Sequence, residues 1–109
     1  MFMPKLASDS SGAFVIVAEL EYSLRARRDL LDIADHIAID RPAAARAMLD
    51  ALTRRIDALS EFPKQGQAIP ALGAGVRRLS VRPYLVIYEH RPDSIRIVRI
   101  LHAARNWPR

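Results

Sequence analysis

The residues best suited to chemistry lie near the end of the chain, in the stretch IRIVRILHAARNW from Ile95 to Trp107. Arginines alternate there with branched aliphatic residues, and His102 follows them. A histidine can exchange a proton near neutral pH, and an arginine can hold a phosphate or carboxylate with two hydrogen bonds. The stretch therefore fits a catalytic edge, a nucleic-acid-binding surface, or a strand whose polar residues face water. A lone histidine at a strand end is more often structural than catalytic.

Composition excludes several kinds of site. The chain of 109 residues has no cysteine, so disulfides, thiolate catalysis and cysteine-built zinc sites are ruled out. Its three histidines, His36, His90 and His102, are not spaced as metal ligands, and we predict no metal and no cofactor. No apolar run reaches the roughly 18 residues of a membrane span, and MFMPKLASDSSG lacks the apolar block of a secretory signal. We therefore predict a cytoplasmic protein with no membrane partner.

Positive charge is concentrated in the C-terminal half. Residues 1–62 contain eight Lys and Arg against ten Asp and Glu, a net charge of −2, whereas residues 63–109 contain nine against two, a net charge of +7. Lys64 is the only lysine among those nine cations. Because guanidinium groups bind phosphates and carboxylates bidentately, this half suits ordered recognition of a polyanion or an acidic protein segment. The alternative is a solvated surface that only aids solubility.

The first half of the chain predicts a lead, a strand and a helix. Residues 1–12 lack periodicity and are predicted to be a flexible lead, followed by a single domain over residues 13–109. Ala13–Tyr22 has the pattern of a strand, and Ser23 can cap the helix after it. The apolar positions of that helix are Leu24, the stem of Arg27, Leu30 or Leu31, Ala34 and Ile37 or Ala38, with Asp29, Asp32 and Asp35 on the opposite side.

A second helix follows after a very short link. Pro42 fits its first turn, and Pro63 ends it at about Glu61. Its apolar stripe consists of Ala45, Met48, Leu52, Ile56 and Leu59. Two helices joined this closely are expected to form an antiparallel hairpin.

Three strands complete the chain after a glycine-rich loop over Lys64–Gly75. They are predicted over Val76–Val81, Tyr84–His90 and Ser94–Leu101, with separators too short for crossover helices. The predicted fold is α+β, with a two-helix antiparallel hairpin on one face of a small, mainly antiparallel four-stranded sheet, in the order β-α-α-β-β-β. Arg99 interrupts the alternation of the last strand, so it either pairs with an acid from the helices or lies near a β-bulge.

The order of these elements and five short segments resemble the ParE/RelE toxins of bacterial type II toxin–antitoxin modules. The segments are ARRDLLDIADHIA, FPKQG, GVRRL, PYLVIY and RILH, and the resemblance covers about residues 14–105. The lead before Ala13 is longer than these toxins usually carry. The resemblance implies a toxin held inactive by the C-terminal segment of a cognate antitoxin, in a complex that binds operator DNA only through the antitoxin. RelE-like members cut ribosome-bound mRNA, and ParE-like members inhibit DNA gyrase.

An mRNA-cutting member would need a particular set of groups. Cleavage without a metal requires a base, an acid and cations that stabilise the charged phosphorane. Arg77, Arg99 and His102 could supply two of these roles, and Arg77 matches the arginine with which cutting members hold the phosphate. Such members also carry a lysine and arginine cluster with a late tyrosine, or a glutamate base with a late His-Tyr pair. Here no tyrosine follows Tyr88, and Glu61 is predicted to be an ordinary surface acid.

The incomplete catalytic set favours the ParE-like branch, a toxin that binds gyrase and cleaves no bond. The alternatives are a RelE-like ribosome-dependent mRNA endoribonuclease and an inactive binding-module relative. Tyr84 and Tyr88 share one face of the middle strand, where they either stack on bases or pack in the core. The residues predicted to bind the antitoxin, another partner or nucleic acid are Arg77, Arg78, Arg82, Tyr84, Tyr88, Arg96, His102 and Arg105.

Overall fold

The computed structural model describes residues 5–8, 14–17 and 19–104. The elements are β1 (Lys5–Ser8), β2 (Phe14–Val17), β3 (Glu19–Tyr22), α1 (Leu24–Asp40), α2 (Pro42–Asp57), β4 (Gln67–Ala68), β5 (Val76–Val81), β6 (Tyr84–His90) and β7 (Ser94–His102). Within these residues, α1 and α2 pack on a mixed five-stranded sheet of order β3-β7-β6-β5-β4. The predicted α+β class is therefore confirmed. No helix in the same part of the chain is long and apolar enough to cross a membrane.

The strands differ from the prediction at both edges of the sheet. The single strand predicted over residues 13–22 is two strands, because β2 pairs with β1 in a separate two-stranded sheet while β3 pairs in parallel with β7. The predicted four-stranded sheet gains β4, in which Gln67 and Ala68 pair with Arg78 and Arg77 at the edge of β5. β1 lies within the predicted lead, whose residues 1–4 and 9–12 are outside the described residues.

Capping residues define where the helices begin. The Ser23 hydroxyl accepts a hydrogen bond from the Ala26 amide at 2.9 Å and donates one to the Val98 carbonyl at 2.8 Å, so it both caps α1 and fixes the helix to β7. Pro42 lies in the first turn of α2, as predicted. The α-helical part of α2 ends at Asp57, earlier than predicted, because its last turn tightens into a 3-10 turn.

The sequence predicts the buried face of α2 better than that of α1. The α2 stripe is confirmed, since Ala45, Leu52 and Ile56 are buried and Met48 packs partly against the core. The α1 stripe is confirmed only in part, because Leu30 and Ile37 pack against the core as predicted but Leu24 does not. The buried residues of α1 are Ala26, Asp29 and Ile33, whereas Leu24 and Leu31 are 83% and 66% exposed. Helix α1 is rotated about its axis relative to the prediction because Asp29 faces β7 and binds it instead of facing water.

Both explanations expected for Arg99 are present. The pairing of β6 with β7 shifts by one residue, because Ile87 lies opposite Arg99 while Tyr88 lies opposite Ile97. The extra residue between them is Val98. This bulge lets Ile97 and Ile100 both reach the core, although strict alternation would place them on opposite faces. Arg99 also pairs with an acid from a helix, as described below.

Candidate functional site

A cavity of about 570 Å³ lies between α1 and the C-terminal end of β7, and we call it the α1 cavity. Its lining residues are Asp29, Asp32, Ile33 and His36 from α1, with Tyr84, Arg99, Ile100, Leu101 and His102 from the sheet. The cavity brings together Arg99 and His102, two of the three residues that the sequence offers for RNA cleavage.

Arg99 is engaged by the carboxylate of Asp29. Its Nε donates to Oδ2 at 2.8 Å and its Nη2 donates to Oδ1 at 3.3 Å. The Ile100 amide also donates to Oδ2, at 2.8 Å. The Asp29 side chain is 10% exposed and that of Arg99 33%, so the carboxylate is nearly buried and the guanidinium is partly exposed. The guanidinium charge is neutralised by Asp29, and two of its nitrogens are already engaged, so it is poorly placed to stabilise a phosphorane.

His102 is held by neighbours at the end of β7. Its ring meets the ring of Tyr84 edge to face, with centroids 5.5 Å apart and an interplanar angle of 83°. Its Nδ1 accepts a hydrogen bond from the Ala104 amide at 3.2 Å, which places the proton of the neutral ring on Nε2. The ring thus closes the strand end and offers one nitrogen to the α1 cavity.

Arg77 lies far from His102 along the sheet, and by its register it lies on the other face of the sheet from Arg99, which is opposite Ile87. Arg77 is opposite Tyr88 on β6, whereas His102 is opposite Tyr84, four residues along the same strand. Four residues span roughly 13 Å at the rise of an antiparallel strand, and two strand spacings add about 10 Å across the sheet. Arg77 Nη1 donates to the Gly66 carbonyl at 2.7 Å. The structure therefore does not bring Arg77, Arg99 and His102 into one site.

The two tyrosines of β6 are core residues. Tyr88 is 0% exposed and Tyr84 is 6% exposed, so neither offers a face on which a base could stack, and that part of the prediction is wrong. The Tyr88 hydroxyl donates to the Pro63 carbonyl at 2.7 Å and accepts from the Gly66 amide at 2.8 Å. Burial raises the pKa of Tyr88, although the hydrogen bond from Gly66 and the charge of Arg77 act in the opposite direction.

A second cavity, of about 730 Å³, lies beside β5 and is lined by three arginines. Arg55, Arg78 and Arg82 line it together with Gln65 and Gln67, and we call it the cationic groove. No aspartate or glutamate lines it among the residues described. Arg78 donates to the side-chain oxygen of Gln67 from Nε at 3.2 Å and from Nη2 at 2.9 Å, which fixes its orientation. The groove is therefore suited to an anion or an acidic segment.

The remaining predicted residues lie elsewhere or outside the described residues. Arg96 is exposed on β7, opposite Glu89 on β6 and Glu21 on β3. Arg105 lies beyond the last described residue, 104. Glu61 is exposed at the end of a 3-10 turn, as a surface acid would be. No group of three or more His, Asp or Glu in residues 19–104 could hold a metal ion.

Comparison with known proteins decides the family. A family model described as the ParE toxin of the type II toxin–antitoxin system parDE matches residues 20–107. The chain belongs to the ParE toxin family. It is also 37% identical over 90 residues to a protein named Toxin RelE2 from Caulobacter vibrioides, a match that covers 82% of this chain and 99% of that one.

Solved structures support the same fold for this ParE-family toxin. A chain of the chromosomal ParDE toxin–antitoxin system from P. aeruginosa superimposes with a TM-score of 0.68 at 25% identity, covering 79% of this chain and 96% of that one. A chain of the E. coli DinJ-YafQ toxin–antitoxin complex gives a TM-score of 0.62 at 16% identity, covering 85% and 100%. At that identity the second likeness concerns the fold alone.

Sequence reasoning missed several residues that line the toxin's cavities. Asp32 and His36 line the α1 cavity, and their spacing of four on a helix was a usable signal. Arg55 of α2 lines the cationic groove beside strand residues that lie more than twenty positions later in the sequence, so no local pattern connects them. Phe62 lies at the surface of the loop after α2. Nothing in its local pattern distinguishes an exposed phenylalanine from a core one.

Proposed function

We propose that this ParE-family toxin arrests growth by binding DNA gyrase and that it cleaves no bond itself. The observation that carries the proposal is the separation of the groups that RNA cleavage would need. Arg99 is paired with Asp29, and Arg77 donates to a backbone carbonyl at a different part of the sheet. What the surface offers instead is a cationic groove suited to binding an acidic protein.

A cognate antitoxin is the second partner in this proposal. The related P. aeruginosa chain comes from a ParDE toxin–antitoxin system. An antitoxin segment that is acidic on one side and apolar on the other would find complementary charge at Arg55, Arg78 and Arg82 in the cationic groove. The net charge of +7 on residues 63–109 favours the same kind of segment. We expect an antitoxin gene beside this one, and operator DNA to be bound through the antitoxin.

A ribosome-dependent mRNA endoribonuclease is the second candidate, and one feature favours it. His36 and His102 line the same cavity and could act there as acid and base. The relative named Toxin RelE2 points in the same direction by its name. However, Asp32 lines that cavity as well, and its carboxylate would repel a phosphate group. The available arginine, Arg99, is already neutralised by Asp29.

Expression in cells separates the two candidates. The wild-type chain and the double variant His36→Ala/His102→Ala should arrest growth equally, with ribosome-bound mRNA intact by primer extension. Loss of arrest in the double variant, with both chains equally folded by circular dichroism, would support the nuclease instead. A wild-type chain that leaves growth unaffected would identify an inactive relative.

A further inference from the structure

The loop between α2 and β4 presents an aromatic side chain to solvent. Phe62 is 61% exposed, and with Pro63, Lys64 and Gln65 it lines a shallow apolar depression of about 580 Å³. Exposed aromatic side chains lose contact with water favourably on binding, and they dominate the affinity of many protein interfaces. We propose that Phe62 is the anchor through which the toxin binds its folded target protein.

The loop holds Phe62 in place before any partner arrives. The Tyr88 hydroxyl, inside the core, bonds both the Pro63 carbonyl and the Gly66 amide, at 2.7 and 2.8 Å. Arg77 donates to the Gly66 carbonyl at 2.7 Å. These three bonds fix the backbone on the C-terminal side of Phe62. Because the loop is already ordered, binding through it requires little loss of conformational entropy.

The backbone at Gly66 packs so closely on the sheet that no side chain would fit there. A Cβ atom there would lie 2.6 Å from the Arg78 carbonyl oxygen and 2.6 Å from the Tyr88 hydroxyl. The loop therefore passes directly over the sheet at Gly66, four residues after Phe62. This arrangement differs from a phenylalanine on a loose surface loop, whose backbone would have to be ordered on binding.

Positive charge lies beside the anchor. Gln65 lines both the apolar depression and the cationic groove, so the two are continuous. Arg55, Arg78 and Arg82 supply the charge of the groove, and Lys64 lines the depression itself. The complementary surface on a partner is an apolar pocket with aspartate or glutamate residues along its rim.

The occupant that fits this surface is a folded protein. Phe62 is 61% exposed, so only a surface supplied by the partner can complete the burial of its ring, and preformed pockets belong to folded surfaces. An extended antitoxin segment could satisfy the arginines of the groove but has no pocket for a phenylalanine. The inference rests on the proposed function, in which this folded partner is gyrase.

The test compares Phe62→Ala with a matched variant in a supercoiling assay with purified gyrase. Leu31→Ala is the control, because Leu31 is 66% exposed and lies on α1 outside the loop. The concentration of toxin that halves supercoiling should rise about tenfold or more for Phe62→Ala and stay within about twofold for Leu31→Ala. Affinity for the antitoxin should change less than about twofold in both variants.

A charge reversal tests the rim of the proposed surface. Arg55 lines the cationic groove, whereas Arg46 lies nine residues earlier on α2 and so projects from about the opposite side of the helix. Arg55→Glu should weaken gyrase inhibition, and added salt should weaken inhibition more for wild type than for this variant. Arg46→Glu, which makes the same change of charge, should inhibit like wild type.

The possible outcomes distinguish a failure of the role proposed for Phe62 from a failure of the proposed gyrase inhibition. Equal inhibition by wild type and Phe62→Ala overturns the anchor alone. Loss of antitoxin binding, or of binding to single-stranded RNA, with gyrase inhibition intact, also overturns it and assigns Phe62 to that other partner. If wild type does not inhibit gyrase at all, the proposed function fails, and the anchor fails with it.

Discussion

At the scale of single residues, Arg99 and Asp29 show how an ion pair joins the last strand to a helix. The Asp29 carboxylate is nearly buried and needs a partner, and Arg99 on β7 binds both of its oxygens. The sequence allowed this pairing to be predicted as one of two possibilities. It did not identify Asp29, because an aspartate in an amphipathic helix is ordinarily assigned to the solvent face.

We expect Arg99→Ala to reduce the free energy of unfolding by about 2 to 3 kcal/mol, since it leaves the nearly buried Asp29 carboxylate without its cation. Arg96→Ala is the control, because Arg96 is an exposed arginine three residues earlier on β7 and should change stability by less than about 0.5 kcal/mol. Urea unfolding measures both. Equal stability of Arg99→Ala and wild type would contradict the structural role given to this pair.

The exposure of Phe62 could not be predicted from the sequence. The preceding helix and Pro63 indicate where α2 must end, but the exposure of Phe62 depends on the hydrogen bonds that Tyr88 and Gly66 make beneath it. Those partners lie 22 residues apart in the sequence. An apolar residue beside a helix end is usually assigned to the core, so no local pattern predicts its exposure here.

At the scale of elements, the helix starts and the α2 stripe could be predicted because they depend on local signals, namely a serine cap, Pro42 and apolar spacing. The rotation of α1 and the addition of β4 could not. Both depend on tertiary partners, since Asp29 of α1 binds β7 and the two residues of β4 pair with β5. Two paired residues are too few to produce a hydrophobic alternation in the sequence.

The contact between β3 and the helical hairpin predicts a pH dependence. Burial, followed by the negative charge of Asp57 on α2, raises the pKa of Tyr22 on β3 to about 12. The unfolded chain releases this proton near its ordinary pKa of 10.0, whereas the folded chain retains it. The resulting contribution to stability is complete below pH 10 and is lost as the pH rises through about 12.

Urea unfolding at about pH 9 and about pH 11 measures this effect. The loss of stability between the two should be smaller for Tyr22→Phe than for wild type, because phenylalanine does not ionise. Some loss should remain in the variant, since the pKa of Tyr88 is also raised. An identical decline in the two proteins would show that Tyr22 ionises in the folded chain as easily as in the unfolded one.

At the scale of the whole molecule, the arginine that is paired within the fold is separate from the arginines that line the cationic groove. Arg99 is neutralised inside the structure, while Arg55, Arg78 and Arg82 line the cationic groove next to Phe62. The charge asymmetry of the sequence predicted a basic binding surface in the C-terminal half. It could not predict that α2, from the acidic half, contributes Arg55 to the same surface. Arg55 lines the same groove as Arg78 and Arg82 only because of how the α1–α2 hairpin packs on the sheet.

The most direct measurement is the supercoiling of relaxed plasmid by purified gyrase in the presence of increasing amounts of the wild-type chain. We expect supercoiling to stop as toxin is added and to return when the cognate antitoxin is included, with mRNA intact in a parallel translation reaction. Full supercoiling at saturating toxin, together with site-specific cuts in ribosome-bound mRNA, would contradict the proposed gyrase inhibition.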